Sequence, residues 1–578
     1  MLNEQLAALF REMAELTKLE DQNPQSFRAR AYDTAARALD VLDVEADSLS
    51  EAELIKVEGL GKSSAAKIRE YCETGEIDKL ERLRSEYPLE FREVVRIPGI
   101  GAKTAIKLRN ELGVNTLDDL TTALEAQTVR TIPGLGAKTE EKIAHSIERL
   151  GMTGKDRRVP IGEAMAEAKR IANQLEAHPS VDRVQICGSL RRLRETVADI
   201  DVLVASADPG PVMEHAKALA AVRELLAAGD TKTSFITASG IQVDVRVVRP
   251  ESFGAAILYF TGSKAHNIAL RQLALQHEWT LNEYHLGTDD EDIAGEDEVG
   301  IYRALGLQWV PPPMREDSGE VGEALSGELE YVTVDQIRGD LHVHTDLSGD
   351  GEESLEVMVA AASQRGYEFV AITDHAEDLA INGASREQML AQREALRALQ
   401  KRYPDMMLLH GAELNIGPDG GLDYDQDFLA GYDWCVASVH SHFDLSEEEQ
   451  TVRLLTAMQH PSVNVIGHPS GRMIGRRPAI EFSVGAVLEA AELSRTALEI
   501  NSNLARLDAS AELIRKARDR DILFVISTDS HRSKELAYTR WGVAQAQRGW
   551  ARPSQIANTW PRQAFMEWVT AVRSGAPV

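Results

Sequence analysis

"ADIDVLV", residues 198–204, sets two carboxylates one residue apart inside an apolar run. In a β-strand, residues two apart share a face, so Asp199 and Asp201 project side by side. Two like charges that close, on a segment apolar enough to be core, are costly unless something neutralises them. Immediately upstream the chain reads CGSLRRLRETV (187–197), a turn at Gly188 and Ser189 followed by two arginines. Donors for phosphate thus line up beside carboxylates for metal. A third carboxylate, Asp244 in GIQVDVRVV, is flanked by valines and points from a second core strand. Three carboxylates converging on one point make poor structure but a good cage for two Mg2+ ions, which take oxygen ligands. Two such ions ~3.5–4 Å apart stabilise both the attacking and the leaving oxygen of an in-line phosphoryl transfer.

The bulk composition narrows the setting. With 578 residues the chain should divide into about three to five domains. Hydrophobic content of 43% and charged content of 27% describe an ordinary globular protein. Its three cysteines, Cys72, Cys187 and Cys435, are far apart and form no C-x-x-C, which excludes a disulfide framework or a thiolate zinc site. A reducing cytosol is the natural home. Acids interrupt the apolar residues of the N-terminus, unlike a signal peptide. No apolar run approaches the ~18 residues of a membrane span. The formal charge of −29 argues against a nucleic-acid partner taken alone, but local patches set binding while acidic runs elsewhere set the total.

Residues 1 to 90 carry a helical pattern, and a weak repeat runs through them and beyond. VEGLGKSSAAKI (57–68), IPGIGAKTAIKL (97–108) and IPGLGAKTEEKI (132–143) share one frame. The pairs Gly59 and Gly61, Gly99 and Gly101, Gly134 and Gly136 permit a tight turn and close approach to a ligand. Amides then face outward at a helix start, where the dipole favours an anion such as phosphate. Arg96, Lys103, Lys107 and Arg109 surround the second copy with no acid between Arg96 and Arg109. Three copies in one frame resemble helix–hairpin–helix motifs, which grip DNA backbones without reading sequence.

Near residue 160 the pattern changes to an α+β domain, and from 337 apolar strands alternate with helices, as in an α/β barrel or a doubly wound sheet. GDLHVHTDLSGDG (339–351) sets His342 and His344 on one face of a strand end, with Asp350 on the following loop. Successive apolar runs then end in potential ligands: His375, Glu413, His440, His468, and the pair Asp529 and His531. Ligands at the C-terminal ends of successive strands are how a β/α barrel builds its active site. Mixed imidazole and carboxylate donors suit Mn2+, Zn2+ or Fe2+ better than Mg2+ alone. His410, His442 and His460 fall outside this placement.

The first constellation closely resembles the X family of DNA polymerases, whose palm belongs to the nucleotidyltransferase superfamily. The resemblance implies that Asp199 and Asp201 hold both metals and that Asp244 holds the catalytic one and helps activate the primer 3′-hydroxyl. It implies Gly188, Ser189, Arg192 and Arg158 as ligands of the incoming triphosphate. YFTGSKAHNIALR (259–271) looks like the family's thumb turn. By that likeness Tyr259 and Phe260 crowd a ribose 2′-hydroxyl, Gly262 and Ser263 lie against the sugar, and Asn267 makes a minor-groove contact to the base. Ala198 departs from the glycine that often precedes the first aspartate, yet keeps the amide. Lys67 sits where related repair polymerases place a Schiff-base lysine that removes abasic sugar phosphates, a role that needs a lowered pKa. The second constellation resembles the polymerase and histidinol phosphatase (PHP) domain, a distorted seven-stranded barrel holding up to three metals. His342, His344, Asp350, His375, Glu413, His440, His468, Asp529 and His531 each fall in a matching motif, and Asn501 of LEINSN lies at the barrel mouth. Gly349 lengthens the usual Ser-Asp-Gly to Ser-Gly-Asp-Gly, which bears on the reach of Asp350.

The expected fold is multidomain. A helical lyase-like domain with the first hairpin (1–90) precedes fingers with two hairpins (91–155), an α+β nucleotidyltransferase palm (156–250) and a thumb (251–312). An acidic linker (313–336) then leads to a distorted (β/α)7 PHP barrel (337–578). The expected function is a gap-filling, template-directed DNA polymerase of DNA repair with a metal-dependent 3′→5′ exonuclease that also processes 3′ ends or abasic sites. The alternative is an end-processing nuclease whose polymerase half positions DNA. Expected partners are gapped or nicked DNA and a dNTP. Two Mg2+ ions belong to the palm and up to three Mn2+, Zn2+ or Fe2+ ions to the barrel. A cytoplasmic monomer with no membrane association completes the expectation.

Overall fold

A computed structural model describes residues 2–574, apart from 24–25, 41, 43, 58, 96–99, 149–157, 238–239, 289, 380–381 and 475–476. The chain forms two units, Met1–Arg157 and Arg158–Val578. No helix among the described residues is long and apolar enough to cross a membrane.

The first unit is helical throughout. In α1 (Leu2–Glu20), Leu6, Phe10 and Met13 recur at helical spacing and are fully buried against α2 (Phe27–Asp40), where Tyr32 meets Phe10 edge-on at 6.0 Å. Each Gly-x-Gly hairpin drives its middle residue into this core: Leu60, Ile100 and Leu135 are buried. The backbone then enters α3 (Lys62–Thr74), α4 (Ala102–Leu112) and α5 (Ala137–Glu148). Gly61 and Gly101 cap α3 and α4 with no side-chain hydrogen bond, and a Cβ at Gly61, Gly101 or Gly136 would meet open space. The turns rely on left-handed backbone at Gly59 (φ +89°) and Gly134 (φ +88°). Gly99 lies outside the described residues.

The second unit begins with the palm. Helix α6 (Ile161–Glu176) covers a five-stranded sheet of β1 (Arg183–Ile186), β2 (Asp199–Ala205), β3 (Val222–Ala228), β4 (Lys232–Thr237) and β5 (Gln242–Val248). Their spatial order is β1-β2-β5-β4-β3. Short helix α7 (Gly188–Arg191) joins β1 toward β2. Along β2, Ile200 and Val202 are buried while Asp199 and Asp201 are half-buried on the opposite face. Only the β2–β5 pair is parallel, with Asp201 opposite Asp244 and Asp199 opposite Gln242.

The thumb packs α8 (Phe253–Thr261), α9 (Lys264–Gln276) and α10 (Glu298–Ala304) around Tyr302 and Leu270. The stretch 313–336, expected as an acidic linker, is instead built into the body of the unit. Met314, Arg315 and Glu320 are buried, and residues Glu320–Ser326 form helix α11. Its acids read as solvated by composition, but three of the seven have partners that are distant in sequence, while Asp317, Glu328, Glu330 and Asp335 are exposed. Glu316 pairs with Arg192 and Arg548, Glu320 with His266, and Glu323 with Arg518.

Arg315 is fully buried, pairs with Glu298 at 2.5 Å and lies over Tyr302 and Trp309. Glu298 also accepts both terminal nitrogens of Arg191, at 2.9 and 3.0 Å. Burial pushes the Glu298 carboxyl up, but the two guanidiniums outweigh it and hold the group far below its ordinary value near 4.5. A depressed folded-state pKa means stabilisation that is present above pH 4.5 and lost as pH falls toward the folded value. Glu298→Gln should cost the thumb about 3–5 kcal/mol, because it strands a buried guanidinium. Faster hydrogen exchange across 256–316 in the variant at pH 7 is the expected result and the measurement that checks it.

The barrel follows from seven short, almost wholly buried strands, the mark of a parallel sheet covered on both faces. They are β6 (Gly339–Val343), β7 (Phe369–Ile372), β8 (Met407–Asn415), β9 (Trp434–Ser438), β10 (Val465–Gly467), β11 (Ala497–Asn501) and β12 (Phe524–Ser527). They pair in chain order, all parallel, and a bridge between Val343 and Ser530 links the last strand's end to the first. The barrel also packs on the palm. Leu507, fully buried, belongs to the palm's apolar cluster, a Cβ added at Gly162 would meet Leu504 at 3.6 Å, and the Trp541 ring lies 4.8 Å beneath Lys169. Trp541 begins its turn inside α12 (Thr539–Arg548).

Candidate active sites

The palm site follows from the register of β2 and β5, which puts Asp199, Asp201 and Asp244 on one face of two adjacent strands. Burial raises Asp199, and Asp244 raises it further. Burial together with Asp199 and Asp244 pushes Asp201 up to about 7. Asp244 goes the other way. Burial would raise it, but Lys232 Nζ stands 2.6 Å from its Oδ2 and Gln242 Nε2 3.2 Å from its Oδ1, and these hold it low. Lys232 is a charged neighbour of this group that sequence reading missed, because its reach across from β4 leaves no local pattern. Three mutually repelling carboxylates beside one ammonium are a donor set suited to divalent cations.

Gly188 makes the turn at the edge of this face with φ +64°, and a Cβ there would fall 2.2 Å from Asp201 Oδ2. Cys187 N in turn donates to the Asp201 carbonyl at 2.8 Å. Gly188→Ala should therefore displace the carboxylate and lower nucleotide addition by about 100-fold, in line with an ångström of misplacement. Single-nucleotide incorporation assays would measure this, with circular dichroism as the fold check.

The triphosphate and sugar candidates surround the same face. Arg192 donates from Nη1 to the Thr261 carbonyl and from Nε to Glu316 at 3.0 Å. Ser189 lies in the first turn of α7, and Arg158 donates to Thr196 Oγ1 at 2.8 Å. Tyr259 and Phe260 meet edge-on at 4.9 Å, with Arg271 over the first ring and Arg246 over the second. Gly262 (φ +66°) ends α8, and Ser263 caps α9 through His266 N. Asn267 donates to the Tyr259 carbonyl at 2.8 Å, which leaves its buried Oδ1 without a partner. In the first unit, Lys67 is half-buried and donates to Ser63 Oγ at 2.9 Å, with Tyr32's ring 5.7 Å away. Lys103 and the glycines Gly61, Gly101, Gly134 and Gly136 are exposed, and Lys107 Nζ bonds the Pro133 carbonyl of the third hairpin at 3.0 Å.

The barrel cluster is centred on Glu413, which lies within β8 rather than beyond its end. Its Oε1 is 3.0 Å from both His440 Nε2 and His468 Nε2. Its Oε2 is 2.9 Å from His375 Nδ1, 3.4 Å from His342 Nε2 and 3.5 Å from His344 Nε2. Asp529 Oδ1 stands 3.3 Å from His344 and 3.7 Å from His342. Despite the added Gly349, Asp350 reaches both His375 and His531 at 3.5 Å. All nine residues expected from the sequence therefore meet in one mouth. His410, by contrast, accepts from Arg393 and stacks on Tyr432.

The donor set fits metal ions on a direct observation. His342 Nε2, His344 Nε2, His375 Nδ1, His468 Nδ1 and Glu413 Oε2 are buried and have no hydrogen-bond partner, though ligand atoms crowd around them. Three groups have ligand atoms close enough to share an ion: His344, His375 and His531; His342, His344 and Asp529; His375, Glu413 and His440. Burial disfavours charge on His375 and His531, yet the facing carboxylates overcome it and raise them to about 10 and about 9. Burial and the neighbouring imidazoles drive His344 down to about 4. Protons on some imidazoles thus stand where cations would.

A second set of residues fixes which nitrogen faces inward. Glu499 Oε1 takes His342 Nδ1 at 2.7 Å, Asn415 Oδ1 takes His440 Nδ1 at 2.7 Å, and Ser348 Oγ meets His344 Nδ1 at 3.1 Å. Asp374 anchors Ser348 at 2.6 Å. Sequence reading singled out Asn501 and passed over Glu499, although a carboxylate inside the apolar run ALEIN carried the same signal as Asp199. Asn501 Nδ2 lies 3.2 Å from Asp529 Oδ2.

Comparison with known proteins follows the same partition. Family profiles match for a helix-hairpin-helix domain over residues 1–77 and a SAM-like helix-hairpin-helix tandem over 91–149. A DNA polymerase beta thumb matches over 256–316 and a PHP domain over 340–503. The DNA polymerase/3′-5′ exonuclease PolX of Bacillus subtilis is 37% identical over 565 residues, covering 96% of this chain and 97% of that protein. A probable phosphatase of Shewanella sediminis is 31% identical over 201 residues, 33% of this chain and 77% of its own length. One from Acetivibrio thermocellus is 29% identical over 205 residues, 34% and 80% respectively.

Proposed function

Because the chain belongs to the family-X DNA polymerases with a C-terminal PHP domain, and so is a DNA polymerase and 3′→5′ exonuclease, we propose that it fills short gaps during DNA repair. The observation that carries the palm half is the parallel register that sets Asp201 beside Asp244 and Asp199 one pleat away. In this reading Asp199, Asp201 and Asp244 hold two Mg2+ ions, which when bound neutralise charge on the triphosphate and at the attacking oxygen. Asp244 accepts the proton of the primer 3′-hydroxyl once Lys232 releases it. The 3′-oxygen then bonds to the α-phosphorus, and the bond to pyrophosphate breaks. Gly188, Ser189, Arg192 and Arg158 orient the triphosphate. Tyr259 and Phe260, with the Gly262–Ser263 turn, crowd a 2′-hydroxyl, and Asn267 contacts the base edge.

The barrel residues His342, His344, Asp350, His375, Glu413, His440, His468, Asp529 and His531 hold up to three Mn2+, Zn2+ or Fe2+ ions and trim 3′ ends. The hairpin glycines with Lys103 bind the DNA backbone, and Lys67 is the candidate amine for abasic sugar removal. The division into helical domain (1–90), fingers (91–155), palm (156–250), thumb (251–312) and barrel (337–578) goes with this reading, as does a cytoplasmic monomer. A 5′-phosphorylated gapped duplex tests it directly. With dNTPs and Mg2+, extension should stop when the gap closes; without dNTPs and with Mn2+, the 3′ end should shorten. Equal extension on gapped and fully recessed primers would sink the gap-filling assignment.

A further inference from the structure

Arg506 lies in the loop that leaves β11, and neither the family motifs nor the ligand set includes it. Its Nε is 3.4 Å from Asp529 Oδ2, while the other oxygen of that carboxylate faces His342 and His344. Its Nη1 is buried without any hydrogen-bond partner. A guanidinium offers five donors in a rigid fork, and a structural pair with a carboxylate normally uses two of them in parallel. Here a single, long Nε contact leaves part of the fork unmatched, and an unmet buried donor of a charged group is costly.

The backbone beneath this side chain is held tightly. Arg506 N donates to the Asn503 carbonyl at 2.8 Å, and the Arg506 carbonyl accepts from Arg472 Nε at 2.9 Å. The Leu507 carbonyl accepts from Arg472 Nη2 and from Gln545 Nε2. Arg472 is braced by Glu195 of the palm, 2.8 Å from Nη2. Arg477, stacked on Phe443 at 3.9 Å, is near enough to feel the charge of Arg506. A fixed loop, an unmatched guanidinium donor and a second arginine together describe a preorganised anion ligand at the edge of the cluster.

We propose that Arg506 binds a non-bridging oxygen of the scissile phosphodiester on the Asp529 side of the barrel mouth, an inference that rests on reading this cluster as the trimming site. In hydrolysis, a water oxygen forms the new bond to phosphorus and loses its proton to solvent. The P–O3′ bond breaks, its electron pair leaves with O3′, and that oxygen takes up a proton to become the 3′-hydroxyl of the shortened strand. A 5′-nucleotide is released. Negative charge is spread over the equatorial phosphate oxygens in this transition state, and the guanidinium opposes it without changing protonation.

The test uses the full chain, a 5′-labelled single strand and Mn2+. Arg506→Gln should lower kcat for trimming by about 10²–10³-fold, the loss seen when one transition-state donor is removed. Arg506→Lys should recover part of it, and added guanidinium should partly rescue Arg506→Gly. Mn2+ uptake by Arg506→Gln, read by isothermal titration, should stay within about twofold of the parent, below the tenfold that marks an altered second shell. Trimming by Arg506→Gln at the parent rate would overturn the proposal. So would a parallel loss of Mn2+ uptake, which would make the residue a brace for the cage. A His344→Ala chain trimming at the parent rate would instead overturn the site reading itself, and this inference with it.

Discussion

Asp244→Asn is expected to abolish nucleotide addition, with a fall of about 10³–10⁴-fold in kcat, while 3′ trimming persists. The substitution keeps size and shape but removes the charge that faces Lys232 at 2.6 Å and lies beside Asp201 on the neighbouring strand. In the proposed role, losing the group that would hold a cation and accept the primer proton removes several kcal/mol of transition-state stabilisation. At 1.36 kcal/mol per tenfold, 4–6 kcal/mol gives roughly the stated factor. Asp201 should titrate closer to its ordinary value in this variant, since one of the carboxylates that raises it is gone. Primer extension on a gapped duplex with dNTPs and Mg2+ reads the first effect, and shortening of the same primer with Mn2+ and no dNTPs reads the second. If trimming fell in step with addition, two separate sites could not account for the two activities.

Glu413→Gln is the complementary experiment and should silence trimming by about 10³-fold or more while addition persists. No other carboxylate in the barrel mouth touches so many imidazoles: His342, His344, His375, His440 and His468 all lie within 3.5 Å of its oxygens. Burial alone would raise its pKa, yet the surrounding imidazoles hold it well below the ordinary carboxylate range. A neutral amide leaves that ring without its central anion, and a metal site with one charge fewer binds weakly. Mn2+ titration should therefore show lost stoichiometry alongside lost trimming. Retained trimming would remove Glu413 from the ligand set and with it the centre of the proposed cage.

Both predictions draw on residues that were legible in the sequence for a simple reason. Asp199, Asp201 and Glu413 are charges inside apolar runs, and for the two aspartates the spacing of 2 says where they point. The barrel was readable because five of its seven strands, β6, β7, β9, β10 and β12, run into a donor just past their ends, so chain order carried most of the geometry. What escaped is whatever acts across the chain. Lys232 reaches Asp244 from an adjoining strand, and Arg506 meets Asp529 from the neighbouring strand's loop. The segment 313–336 shows the opposite failure. Its acids and prolines resemble a solvated tether, and only the remote arginines at 192, 518 and 548 and the histidine at 266 turn three of those acids into buried or part-buried pairs.

The buried Leu507 within the palm's apolar cluster limits how the two halves can be taken apart. A protein joined by a tether can be cut at the tether, and each piece keeps its own interior. Here a cut near residue 336 would remove Leu504, Leu507 and Trp541 from the side of α6 and leave a wet hydrophobic wound on the palm. Truncation would therefore confound lost chemistry with lost solubility. Isosteric point substitutions are the instrument that separates writing from erasing in this chain, because the two enzymes were folded as one body.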